Sequence, residues 1–166
     1  MIYLIWLLRI IHIVAGVYWV GGSLIMTFFV IPTIDAMGES GQKFVGHLMN
    51  NLKFSSRMAA ASGSTVLAGF ILYALDARAG ANWVRSDFAI GLGIGAVFAV
   101  IGLVLGMMVG RTARAMAQLG GQMQGKPSQS QIAEMQAIRK RQATFSTTST
   151  IAIVLATVFM AIARYL

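Results

Sequence analysis

Four stretches of the chain contain no charged side chain: residues 10–34, 58–75, 88–110 and 142–163. About 20 apolar residues cross the hydrocarbon core of a bilayer as an α-helix, so each stretch predicts a membrane span. With their flanks, the predicted helices cover about 2–31, 55–75, 88–110 and 143–165. The expected fold class is all-α, an integral membrane four-helix bundle forming one domain over residues 1–166. Pro32, which has no N–H to donate, is expected to end the first helix.

Between the spans the pattern changes. Phe44, Val45, Leu48 and Leu52 recur at helical spacing among polar residues and predict a short amphipathic helix on the membrane surface. His47 belongs to that segment, where solvent or headgroups are its expected surroundings. The third helix is expected to continue to about Leu119 and stop at Gly120-Gly121. Pro127-Ser128 then opens a new helix, with Ser128 and Gln131 at capping-box spacing. Through Ile132, Met135 and Ile138 that helix runs on into the fourth span, so the long third loop is itself helical.

Within the spans, position on the helix wheel separates packed faces from lipid-facing ones. At 100° per residue, Arg9, His12, Gly16, Trp19, Ser23 and Met26 share one stripe of the first helix. Leu4, Ile11, Tyr18 and Ile25 lie on the other flank and suit lipid. The second helix is rich in small and hydroxyl residues, AAASGSTVLAG. The third repeats small residues at Gly91, Gly95 and Ala99, then at Gly102, Gly106 and Gly110, a spacing that lets helix backbones approach closely. Packing inside the bundle is one use of these glycines; a seam between two copies is the other. The fourth opens with TFSTTST and presents Ser149, Ala152, Ala156, Met160 and Ala163 on one face.

Composition agrees with this pattern. The chain is 57% hydrophobic and only 11% charged, where a soluble domain carries about a quarter charged residues. A net charge of +8 would suggest nucleic acid for a soluble protein, but topology accounts for it here. Lys43, Lys53 and Arg57 follow the first helix, and Arg111, Arg114, Lys126, Arg139, Lys140 and Arg141 follow the third. Only Arg78 and Arg85 lie between the second and third, and Arg164 after the fourth. The positive-inside rule then puts the first and third loops in the cytoplasm and both termini outside, with the cluster at residues 139–141 against anionic lipid headgroups. Tyr3, Trp6, Tyr73, Trp83 and Tyr165 gather at the outer interface. The N-terminal stretch is expected to be a span and not a cleaved signal, since it has no basic region before it and no small-x-small site after it. Cysteine is absent, which excludes disulfides, thiolate metal sites and thiol catalysis.

The candidate chemistry centres on His12, the one histidine inside an apolar stretch. Neutral imidazole is a common ligand of haem iron and copper, and an ionisable residue within a span is a functional candidate. At 1.5 Å per residue His12 sits about 15 Å from the outer end of its helix. Gly16, one turn further in, would leave room for a flat macrocycle, and Arg9, one turn outward, could meet a haem propionate, helped by Arg164 or Arg85, or could simply snorkel to the headgroups. Met160 on the fourth helix lies at comparable depth and is the candidate opposite ligand. His47 is too far, since residues 12–31 alone span about 28 Å. The alternative role for His12 is a neutral ring bonded to a backbone carbonyl or hydroxyl of the second or fourth helix.

The run IWLLRIIHIVAGVYWVGGSLIMTFFVIP resembles the first helix of the CopD-like superfamily of bacterial membrane proteins, which includes copper-resistance D proteins and HemJ-type protoporphyrinogen oxidases. The matching residues are Trp6, His12, Trp19, Gly21 or Gly22, and Pro32. The C-terminal FMAIARYL is similar to four-helix members of the group. The resemblance implies a bacterial inner-membrane protein with a haem or copper role at His12.

Two functions follow as expectations. One is binding of a b-type haem, or copper, through His12, with a role in membrane electron transfer or redox chemistry. The other is a non-catalytic structural or accessory membrane subunit that packs through its glycine-rich third helix, as a homo-oligomer or within a larger membrane complex.

Overall fold

A computed structural model describes residues 2–78, 80–122 and 128–166, without the side chains of Glu39 and Gln42. Its helices are α1 (Ile2–Ile25), α2 (Ile31–Met37), α3 (Glu39–Gly46), α4 (Phe54–Ala77), α5 (Ala81–Val84), α6 (Asp87–Gln122) and α7 (Gln129–Ile162). Four helical rods are long and apolar enough to cross a membrane: Ile2–Met37, Phe54–Ala77, Asp87–Gln122 and Gln129–Tyr165. The fold is thus an all-α four-helix membrane bundle.

The first rod does not stop at Pro32. A π-helical segment, Met26–Val30, joins α1 to α2, and the Ile31 N–H bonds back to the Met26 carbonyl five residues earlier. A proline inside an α-helix clashes with the carbonyl four residues before it and leaves that carbonyl without its donor. The wider π turn moves those carbonyls out of α-register, and the Thr33 hydroxyl donates to the Phe29 carbonyl at 2.7 Å. The rod therefore continues to Met37. Its true end is Gly38, at φ +57°, a conformation that glycine adopts without strain.

From there the chain folds back on itself. Gly41 of α3 lies so close to the Ile34 carbonyl that no side chain could stand there. A second π-helical segment, His47–Asn51, completes the surface helix expected from Phe44, Val45, Leu48 and Leu52. Phe44 and Leu52 are exposed while Val45 and Leu48 are half-buried, so the apolar side is split between lipid and protein. His47 is exposed, as expected. Lys53, in the left-handed region at φ 50°, turns the chain into α4.

Antiparallel neighbours pair as α1 with α4 and α6 with α7, the latter forming the most extensive interface; α4–α6 and α1–α7 contacts are thinner. The core where the pairs meet is built on Trp19, Ala61 and Ile153, with Ala15, Val20, Met58, Val66 and Leu103 around them. Trp19 is the only buried residue of α1, and Leu4, Ile11, Tyr18 and Ile25 are exposed as the lipid-facing flank.

Gly91, Gly95, Ala99 and Gly102 of α6 are buried inside the bundle. A Cβ on Gly95 would lie 2.7 Å from Met160 Cγ and 3.1 Å from the Ala156 carbonyl oxygen. One on Gly91 would meet Ala163 at 3.0 Å, and Ile153 fills the space beside Gly102. Backbones this close allow the Ser149 hydroxyl to donate to the Gly102 carbonyl at 2.8 Å. Ser149, Ala152, Ala156 and Ala163 are buried, so the predicted face of the fourth span is the packed one.

The start of α7 follows its sequence signal. Ser128 accepts from the Gln131 N–H, and the Gln131 side chain accepts from the Ser128 N–H, a complete capping box. Pro127 lies outside the described residues.

Candidate functional site around His12

The stripe of α1 that carries His12 faces α4. The His12 Nδ1 lies 2.7 Å from the Thr65 carbonyl oxygen. A carbonyl only accepts, so Nδ1–H is the donor and, in the neutral ring, the lone pair resides on Nε2.

Gly69 makes this contact possible. Its missing side chain would stand 2.8 Å from the ring Cε1 and 3.0 Å from Nδ1. No real Cβ tolerates that approach, so the imidazole occupies a notch that only glycine leaves open. One turn along each helix the roles reverse, since α1 and α4 run antiparallel. There the Thr65 methyl fills the groove at Gly16, 3.5 Å from where a Cβ would be. The Thr65 hydroxyl donates to its own helix at the Ala61 carbonyl, 2.8 Å away. His12 and Gly16 on one helix thus interlock with Thr65 and Gly69 on the other.

A second polar contact ties the first rod to α7, toward the other end of that rod. The Thr27 hydroxyl, in the π-helical segment, is 2.8 Å from the Ser146 hydroxyl and 2.9 Å from that of Thr150. Thr150 is among the most deeply buried side chains in the protein. Hydroxyls shared in this way satisfy groups that would otherwise cost free energy in a dry interior.

The other candidate residues are not drawn together. Arg9 is exposed. Gly16 faces the Thr65 methyl, which takes the space a macrocycle would use. Met160 sits in the notch of Gly95, within the α6–α7 pair. Arg164 lies over the ring of Tyr165, 5.4 Å from its centroid. Among the described residues, no three of His, Cys, Asp or Glu converge as metal ligands. The groove along the α1–α4 seam is lined by Ile10, Ile11, Val14, Ala15, Tyr18 and Ala61, without His12. His12 and Met160 thus stand in different helix pairs, His12 against α4 and Met160 against α6. What remains is a single ligand atom, Nε2, which accepts no hydrogen bond among the described residues.

Sequence reasoning missed Thr65 and Gly69. Both lie in the small-residue run of the second helix, and a glycine four residues after a threonine there was the signal. It also missed the partners of Thr27, although TFSTTST holds both of them.

The structure defines a class, the multi-pass α-helical membrane proteins. Beyond that class, no protein-family model, curated protein or solved structure matches the chain.

Proposed function

We propose that this chain is a non-catalytic structural or accessory protein of the membrane, in which His12 locks two helices together. The observation that carries this reading is the engagement of the imidazole, with Nδ1 bonded to the Thr65 carbonyl and Cε1 seated on Gly69. A polar group in a span is retained when its bonding holds helices in register, and such bonds contribute about 0.6 kcal/mol, at most about 1.7. Two interior hydroxyls act in the same way: Ser149 bonds α6, and Thr27 bonds α7. In this reading the basic loops face the cytoplasm, both termini face outward, and the membrane is the bacterial inner membrane, as the CopD-like resemblance of the first helix implies.

A second reading is favoured by one observation. A metal-ligating histidine ordinarily donates its other ring N–H to a carbonyl or carboxylate, which fixes the tautomer. His12 has that arrangement through Thr65, so Nε2 could take one coordination position on a b-type haem or on copper, with redox chemistry as the purpose.

One experiment separates the two. The protein is expressed with haem precursor and with copper, purified in detergent, and examined by visible absorption and elemental analysis. The structural reading expects neither a Soret band nor stoichiometric copper, and a lower unfolding temperature for His12→Ala. A Soret band or bound copper that disappears in His12→Ala, with helicity retained, would replace it by the cofactor reading.

A further inference from the structure

Partway along the α6–α7 pair, where the apolar runs of both helices stop, lies a groove that carries charge as well as apolar surface. Met108, Arg111, Thr112, Arg141 and Phe145 line it. Arg111 is the first charge after the apolar run of α6, and Arg141 is the last before the apolar run of α7. The two guanidinium groups therefore sit at one level, the boundary between hydrocarbon and headgroups. Met108 lies one turn into the apolar part of α6, and Phe145 one turn into that of α7, so the floor beneath the charges is apolar.

Both arginines are exposed, while Met108, Thr112 and Phe145 are half-buried. The Thr112 hydroxyl is committed to the Val109 carbonyl at 2.9 Å and offers no further donor. The polar donors of the groove are thus two guanidinium forks, each suited to bidentate contact with phosphate oxygens. In the sequence, the segments after the first and third spans hold three acidic residues, Asp35, Glu39 and Glu134, against nine of the 13 basic ones.

We infer that this groove is a binding site for an anionic phospholipid. Its phosphodiester lies between Arg111 and Arg141, and one acyl chain runs down over Met108 and Phe145. Charge above and apolar surface below match a lipid at its natural depth, whereas a free phosphate would gain nothing from the floor. Basic pockets between spans bind anionic headgroups in this way. The site does not depend on either reading of His12.

The test uses the full chain in detergent, titrated with phosphatidylglycerol and examined by native mass spectrometry for lipid retained. Arg111→Gln with Arg141→Gln is compared with Arg114→Gln with Arg139→Gln, which removes equal charge outside the groove. The groove pair is expected to lower retention about tenfold and the outer pair less than about twofold. Phosphatidylglycerol is also expected to raise the unfolding temperature of the wild type and of the outer pair, but not of the groove pair. Equal losses in both pairs, or none in either, would overturn a defined site in favour of diffuse surface attraction. Displacement of the lipid by inorganic phosphate at equal concentration would overturn the lipid assignment.

Discussion

The imidazole of His12 occupies the space that a side chain on residue 69 would need, with its Cε1 2.8 Å from the missing Cβ. The two positions are separated by 57 residues in the chain, yet each accounts for the other. The ring fits because position 69 is glycine, and a glycine within a span is explained by the ring.

Gly69→Ala should therefore be costly. The methyl group would push the ring off Thr65, and overpacking of this kind costs about 1–3 kcal/mol. Gly16→Ala is the contrasting case, because its Cβ would meet the Thr65 methyl at an ordinary 3.5 Å. Thermal unfolding in detergent should show a clear drop for the first and little change for the second. A tolerated Gly69→Ala would show that the notch is not tight.

His12→Ala removes both the bond and the obstacle. Alone it should lose about 1 kcal/mol or somewhat more. Combined with Gly69→Ala it should lose less than the two losses added, since the alanine methyl then has room. Contacting residues couple by about 0.5–3 kcal/mol, which a double-mutant cycle resolves. Strict additivity would count against the contact.

The α6–α7 seam makes a graded prediction. Gly102→Ala meets the branched side chain of Ile153, which has no room to withdraw, and should destabilise by about 1–3 kcal/mol. Gly110 has nothing within 4 Å of its missing Cβ. Gly110→Ala should be neutral or stabilising by up to about 1 kcal/mol, because alanine is the better helix former. Unfolding in a graded series of denaturing detergent would rank the two.

Thr27→Val keeps the shape of the side chain and removes the hydroxyl between Ser146 and Thr150. The buried Thr150 hydroxyl then loses its partner across the helices, at about 1–2 kcal/mol. Ser146→Ala should cost less, since Thr27 keeps its bond to Thr150 at 2.9 Å. If Thr27→Val left stability unchanged, the link between the first rod and α7 would have no energetic role.

Orientation is open to direct labelling because the chain has no cysteine of its own. Ser40→Cys and Asn82→Cys sit at opposite ends of the bundle, both exposed. In intact cells a membrane-impermeant maleimide should label Asn82→Cys and leave Ser40→Cys unlabelled until lysis. The reverse pattern would invert the proposed topology.

Much of this architecture could be read from residue order alone, because the signals involved are one-dimensional. Apolar run length sets the spans, 3.6-residue periodicity sets the stripes, and a capping box needs only Ser128 and Gln131 three positions apart. Period also separated the lipid-facing flank of α1 from the stripe that meets α4, and identified the small face of α7. Three things were decided by tertiary packing. The first rod passes through Pro32, since a π turn shifts the carbonyls the proline would strike and that turn is not written in residue type. Gly95 and Gly102 of α6 are filled by α7, since which neighbour fills a groove depends on how four rods are arranged. His12 gives its proton to Thr65, since the lateral placement of two helices to within an ångström determines which nitrogen has a partner. Helical period can say that an imidazole faces protein; only the packed bundle says which atom it meets.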